Sequence, residues 1–123
     1  MTDQQKVQQF LENAGYMVLA VTLDDGTPWA LPVRIQAWHG NEFEWDSKTD
    51  TEHSKTITGR PQIAVTIFDK QENAQMGVYM KGKAALREEK DGGFGRYVFT
   101  AEEVWLNDET FVKRRVELAS AAD

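Results

Sequence analysis

Two stretches of this chain are apolar on both sides of an extended backbone, and they limit the fold more than anything else in it. Tyr16 to Leu23 (YMVLAVTL) is almost continuously apolar over eight residues. Gln62 to Asp69 sets Ile63, Val65 and Ile67 on one side and Ala64, Thr66 and Phe68 on the other. A strand of this kind has no face for water and must be covered twice. With 123 residues the chain is one domain, 1–123. A domain of this size buries roughly two-thirds of its unfolded surface. One copy therefore has a core but cannot also hide a second apolar face. The second face predicts a subunit interface, most simply that of an isologous homodimer.

The remaining elements follow from period and punctuation. Val7, Phe10, Leu11 and Ala14 fall at helical spacing behind a cap at Thr2 or Asp3, with Gly15 as the left-handed stop. Asp25-Gly26 turns the first strand into a second, Thr27 to Trp38. That strand carries Trp29, Leu31, Val33, Ile35 and Ala37 on one face. Pro28 and Pro32 cannot donate to a ladder, which predicts an unpaired edge or a bulge near Pro32. His39-Gly40-Asn41 is a turn into a third strand, Glu42 to Trp45. Thr49-Asp50-Thr51-Glu52 reads as a capping box ahead of a short helix, Ser54 to Thr58, ended by Gly59 and Pro61. After the Gln62 to Asp69 strand comes a polar loop from Lys70 to Gln75. A fifth strand spans Met76 to Leu86, and Asp91-Gly92-Gly93 forms a loop. A bent strand covers Arg96 to Thr100 and Val104 to Leu106, and a last one runs Phe111 to Leu118. Six to seven strands with two short helices predict a mainly β, antiparallel barrel with the second helix between strands 3 and 4.

Composition removes several function classes. Lys plus Arg is 14 against 20 Asp plus Glu, a formal charge of −6, which argues against nucleic acid or an anionic membrane as partner. The absence of cysteine excludes disulfides, thiolate metal sites and cysteine nucleophiles. No apolar run reaches the ~18 residues of a membrane span, and MTDQQKVQQF lacks a signal core, so a cytoplasmic protein is expected. His39 reads as a solvated turn residue, and neither it nor His53 has metal-ligand spacing around it. Glu42, Glu44 and Asp46 share a strand face, read as water-facing rather than as catalytic carboxylates. Ser47, Ser54 and Ser120 lack a nucleophile elbow, and Gly92-Gly93-x-Gly95 lacks the context of a nucleotide loop.

The stretch WDSKTDTEHSKTITGRP, Trp45 to Pro61, stands apart. A helix amino terminus offers free amides and a positive dipole end to a phosphate. Here Ser47, Thr49, Thr51 and Ser54 supply hydroxyls, and Lys48, His53 and Lys55 supply donors that can be positive. Asp50 and Glu52 oppose them. A phosphate site and a plain capped connection both satisfy this pattern. Arg114 is turned inward by strand alternation among Val112, Val116 and Leu118, and an inward guanidinium needs an anion, with Glu102 or Glu103 expected.

The succession GYMVLAVTLDDGTPWALPVRI, FEWDSKTDTEHSKTITGRPQIAVTIFD, GVYMKGKAALREE and RYVFTAEEVWLND resembles the pyridoxamine 5′-phosphate oxidase-like proteins, the FMN-binding split β-barrels. The likeness runs over about residues 5–118. It implies a homodimer with FMN in the groove between subunits. By position, Pro32 and Val33 would lie beside the isoalloxazine. Trp45, Asp46 and Ser47 would follow the ribityl chain, mainly through backbone groups. Thr51, His53, Ser54 and Lys55 would approach the phosphate, and Trp105, with Arg114, corresponds to a carboxy-terminal pair that reaches the partner's flavin. The oxidases themselves have Lys at His53, basic residues at Ala30 and Ile35, and a flavin-contacting Gln near Gly77, so vitamin B6 oxidation itself is not expected. The resemblance implies an FMN-dependent oxidoreductase acting on a small molecule, with no side chain marked as acid or base. Its alternative is a non-catalytic module that stores or senses flavin or haem. A deazaflavin reductase on the same fold is disfavoured by the negative net charge.

Overall fold

The computed structural model describes residues 1–70 and 75–121. The expected loop at 70–75 thus lies largely outside the described residues. Helix α1 is Asp3–Glu12. Thr2 accepts the Gln5 amide at 3.1 Å and the Gln5 side chain returns the bond to the Thr2 amide at 2.8 Å. Gly15 is not its stop. The helix closes at Asn13 by short turn bonds, Asn13 N–H to Phe10 O and Ala14 N–H to Leu11 O, both 3.2 Å, so no left-handed residue is needed.

Strand β1 is Tyr16–Thr22, β2 Pro28–Arg34, β3 Ala37–His39 and β4 Glu42–Lys48. Helix α2 is Glu52–Gly59. Then come β5 Gln62–Lys70, β6 Gln75–Glu89, a single 3-10 turn at Asp91–Gly93, β7 Phe94–Asn107 and β8 Arg114–Val116. All pairings are antiparallel, in the order β2-β1-β5-β6-β7-β4-β3, with β8 added to β7. Gly26, at φ +86°, makes the β1–β2 turn, and its amide bonds the Leu23 carbonyl at 2.8 Å. As its two prolines require, β2 is an edge strand.

The expected second strand is two strands, and the described residues form an eight-stranded sheet. Ile35 and Gln36 separate β2 from β3. The Ile35 amide bonds Gly15 O at 2.9 Å, and the Gln36 amide bonds Glu44 O at 2.8 Å. The two residues therefore tie one end of the sheet order to the other, and the sheet must curl on itself, consistent with a split barrel. The bend in β7 is a bulge: Lys81 pairs Glu103 but Gly82 pairs Ala101, leaving Glu102 extra. That shift turns both Ala101 and Val104 inward. A Cβ on Gly82 would run into the Thr100 carbonyl, so the close approach at the bulge requires glycine.

The barrel interior holds Met17, Leu19, Val21, Ile63, Val65, Ile67, Val78, Met80, Phe99 and Leu106, with Val7 and Leu11 of α1 and Ile57 of α2 packed on it. Trp45 stacks on Tyr97 at 5.5 Å and Phe43 lies 6.2 Å from Phe99. Strand β8 is far shorter than the Phe111 to Leu118 expected. Phe111 takes a left-handed φ of 59°, and it and Val112 face solvent. Arg114 does not meet Glu102 or Glu103. It pairs with Asp3 at 2.7 Å and Asp108 at 2.8 Å, because the turn at Phe111 aims it at the start of α1. Its neighbour Arg115 faces Glu103 instead, at 3.6 Å.

Asp108 is fully buried and also receives Lys6 at 2.7 Å and the amide and hydroxyl of Thr110. Hydrogen bonds from Arg114, then Lys6, hold its carboxyl far below the usual carboxylate range. Its stabilisation is therefore complete above the unfolded value of ~3.9 and is lost as pH falls from there toward the lower folded value. Asp108→Asn is expected to lower the melting temperature by roughly 5 °C or more at neutral pH. Melting curves taken from neutral pH downward should show that gap narrowing below about pH 4, where the unfolded carboxylate takes up its proton while the native one is still ionised.

Candidate functional site

Strand β4 alternates Phe43, Trp45 and Ser47 toward the interior with Glu44 and Asp46 outward. The outward carboxylates are not simply water-facing, since cations on β6 and β7 cover them. Arg96 contacts Asp46 at 2.6 Å and Glu44 at 3.4 Å; Arg87 contacts Glu42 at 2.8 Å and Glu44 at 3.3 Å. Lys90 adds a contact to Asp46 at 3.3 Å, and the Asp46 carboxyl is held below its usual range mainly by Arg96.

Beyond Lys48 the chain enters α2, capped by Thr51 rather than Thr49. Thr49 is tied by its amide and hydroxyl to Gly93 O, at 3.0 and 3.3 Å, so it cannot serve the helix. Thr51 Oγ1 accepts the Ser54 amide at 3.3 Å and lies 2.7 Å from Ser54 Oγ. His53 is buried, its Nε2 3.1 Å from Ser47 Oγ and 3.4 Å from Thr51 Oγ1. Burial pushes its pKa down, so the ring is neutral at physiological pH and is not a cationic donor. Ser47, Thr51, His53 and Ser54 thus form one hydroxyl–imidazole cluster at the start of α2. Lys55 is exposed beside it, and Lys48 lies 6.0 Å over the Phe94 ring. Trp45 is wholly inside, with an indole N–H that has no partner among the described residues.

Pro32 and Trp105 belong to the outer surface of the barrel. Register places Pro32, Val18, Thr66, Tyr79, Trp105 and Arg115 in one row across β2, β1, β5, β6, β7 and β8. A parallel row is Ala30, Ala20, Ala64, Lys81 and Glu103. Val33 has the opposite phase and leans, half-buried, on the core. From β2 to β5 the two rows carry only small or apolar uncharged side chains, with Pro32, Ala30 and Ala20 exposed. Two adjoining hollows open on this face. One, of about 490 Å³, is lined by Ala20, Thr22, Pro28, Ala64, Lys81 and Glu103. The other, of about 310 Å³, lies over Ala64, Thr66, Tyr79, Lys81, Trp105 and Lys113. Ala20, Ala64, Lys81 and Lys113 were not singled out from sequence. The signal for the first two was the run of small residues on the outward phase of β1 and β5. At Gly77 a Cβ would sit 2.7 Å from the Tyr79 ring, so a longer side chain there would displace that aromatic.

An antiparallel barrel with a short helix after β4 and an open small-residue sheet face defines the class of this chain. The family model for pyridoxamine 5′-phosphate oxidase matches residues 3–121, and the chain belongs to that family. No curated protein sequence matches it. Among solved structures it is similar to a protein of Clostridium acetobutylicum related to general stress protein 26 of B. subtilis, of the pyridoxinephosphate oxidase family. The two share 13% identity, 94% of this chain, 96% of that one and a TM-score of 0.77. A heme-binding protein of Mycobacterium smegmatis matches at 14% identity, 95% of this chain, 58% of that chain and a TM-score of 0.79. A FAD-binding protein of Mesorhizobium loti matches at 13% identity, 84% of this chain, 90% of that chain and a TM-score of 0.71. At these identities the likeness is one of fold.

Since burial lowers the His53 pKa, the ring stabilises the fold fully above its unfolded value of ~6.5, and this contribution is lost as pH falls below that. Proton-detected titration of the imidazole should place its midpoint below ~6.5. A midpoint at or above that value would show a charged ring in the cluster.

Proposed function

We propose that the chain is a flavoprotein of the oxidoreductase type that binds FMN non-covalently in a groove between two copies. The observation that carries this reading is the open outer face of β2, β1 and β5. Its small side chains let a flat ring approach the sheet, and its exposed apolar surface calls for a cover. Pro32 and Trp105 stand on that face. Val33, Trp45, Asp46 and Ser47 would contribute mainly backbone groups, since their side chains are engaged within the subunit. At the phosphate end, the α2 amides and the Thr51 and Ser54 hydroxyls are the donors, with exposed Lys55 as a cation beside them. His53 would act there as a neutral donor rather than as a charge. The residues present fit a phosphorylated planar ring on these terms. Bound FMN supplies hydride and electron transfer, and the protein binds and orients it.

A haem-storing or haem-sensing module is the second reading. A neutral imidazole such as that of His53 is the form that ligates iron, and a haem-binding protein shares the fold. In His53, however, Nε2 is already turned to Ser47 and Thr51, which favours flavin.

The absorption spectrum of the purified protein, followed by FMN titration monitored by flavin fluorescence, tests the reading. A flavin spectrum or saturable quenching is expected, with sedimentation as a dimer. His53→Ala combined with Lys55→Ala should weaken FMN several-fold, since hydrogen bonds to charged groups are worth about 1.5–3 kcal/mol. A Soret band with added haem and no response to FMN would support the second reading instead. A monomer indifferent to FMN would contradict the first.

A further inference from the structure

We propose that the smaller hollow on the outer face, over Tyr79 and Trp105, is a binding site for a small planar anion, namely a single-ring aromatic carboxylate. The chain is acidic, with 20 carboxylate side chains against 14 Lys plus Arg, yet cations converge here. Lys81 Nζ lies 5.4 Å from the Trp105 ring centre and Arg115 5.5 Å from it, while Lys113 Nζ lies 5.7 Å from that of Tyr79. Tyr79 and Trp105 are direct partners across β6 and β7. Both rings line the same hollow, and each holds a lysine head over its face.

Among the described residues neither lysine has a carboxylate within ion-pair distance. The facing acid is Glu103, which is opposite Lys81 in register but is contacted by Arg115 at 3.6 Å. Two ammonium groups are thus positioned by aromatic rings, an arrangement worth little alone at exposed sites, and left without anions. Below them the floor is Ala64 and Thr66, opposite Lys81 and Tyr79, where small side chains leave the sheet flat. The volume of about 310 Å³ is at the lower end for ligand pockets and suits one ring. The ring of the ligand would lie on this floor and its carboxylate between the lysine heads. This site shares Trp105 with the proposed flavin face but stands on the hollow and its cations alone.

The test uses the purified full-length chain and three probes, benzoate, its neutral isostere benzamide, and acetate. Binding is read from the Trp105 indole N–H resonance, assigned by its loss in Trp105→Phe. Benzoate is expected to bind about ten-fold or more tighter than benzamide, the difference made by charged hydrogen bonds. It should also exceed acetate by about ten-fold, the contribution of the buried ring. Lys81→Gln with Lys113→Gln should abolish the preference for benzoate over benzamide while the melting transition stays cooperative. Equal binding of acid and amide, or of benzoate and acetate, overturns the proposal. So does a preference that survives the double substitution. A double variant that changes the sedimentation of the protein without changing benzoate binding also overturns it, because the lysines then serve an interface between copies.

Discussion

The link Ile35–Gln36 is the constraint on which the rest of the structure depends. One of its amides bonds to the chain just before β1 and the next to β4, so the two ends of the sheet order are brought within a peptide unit of each other. A sheet held in this way has an inside and an outside. The inside takes most of the large apolar residues, and α1 and α2 close over it. The outside must then carry whatever the second phase of each strand contains. Over the middle of β1, β2 and β5 that phase is alanine, proline, threonine and valine, which neither solvates well nor fills a core, with Tyr16, Arg34, Gln62 and Phe68 toward the strand ends. The functional reading follows from this leftover surface rather than from a catalytic constellation.

Electrostatics sort the remaining polar residues. The acidic side of β4 is neutralised by Arg87, Lys90 and Arg96, and the end of the chain is fixed to α1 through Asp108 and Arg114. Both arrangements hold the fold. The cluster of Ser47, Thr51, His53 and Ser54 is hydrogen-bonded within itself and uncharged, so what it offers a ligand is neutral donors. Lys113 over Tyr79 and Lys81 over Trp105 have no carboxylate partner among the described residues, and the proposed anion site rests on them.

Much of this was legible in the amino-acid sequence. The continuous apolar phase of β1 and β5, the Asp25-Gly26 turn and the edge prolines of β2 follow from local rules, and the structure has all three. Other features depend on partners distant in sequence. Nothing local says that Thr49 is taken by Gly93 and so leaves the cap to Thr51. The bulge at Glu102 is set by Gly82 meeting Thr100, and the left-handed Phe111 decides which acids Arg114 can reach. The split of the second strand is likewise a matter of closure, since Thr27 to Trp38 has the right alternation for a single strand. For the site, the residues at the start of α2 were found as a group, but burial reversed the expected charge of His53. Lys81 and Lys113 were missed because their aromatic partners come together only across β6 and β7.

The central claim is that the small-residue outer face receives both a second copy and a flat ring. Ala20 is exposed at its middle, between Ala30 and Ala64 in register. The most direct measurement is FMN binding and sedimentation of Ala20→Arg beside the unaltered protein, with thermal melting as the control for folding. The account predicts an intact cooperative melt together with loss of both the dimer and the flavin. A well-folded Ala20→Arg protein that still pairs and still binds FMN as before would contradict it.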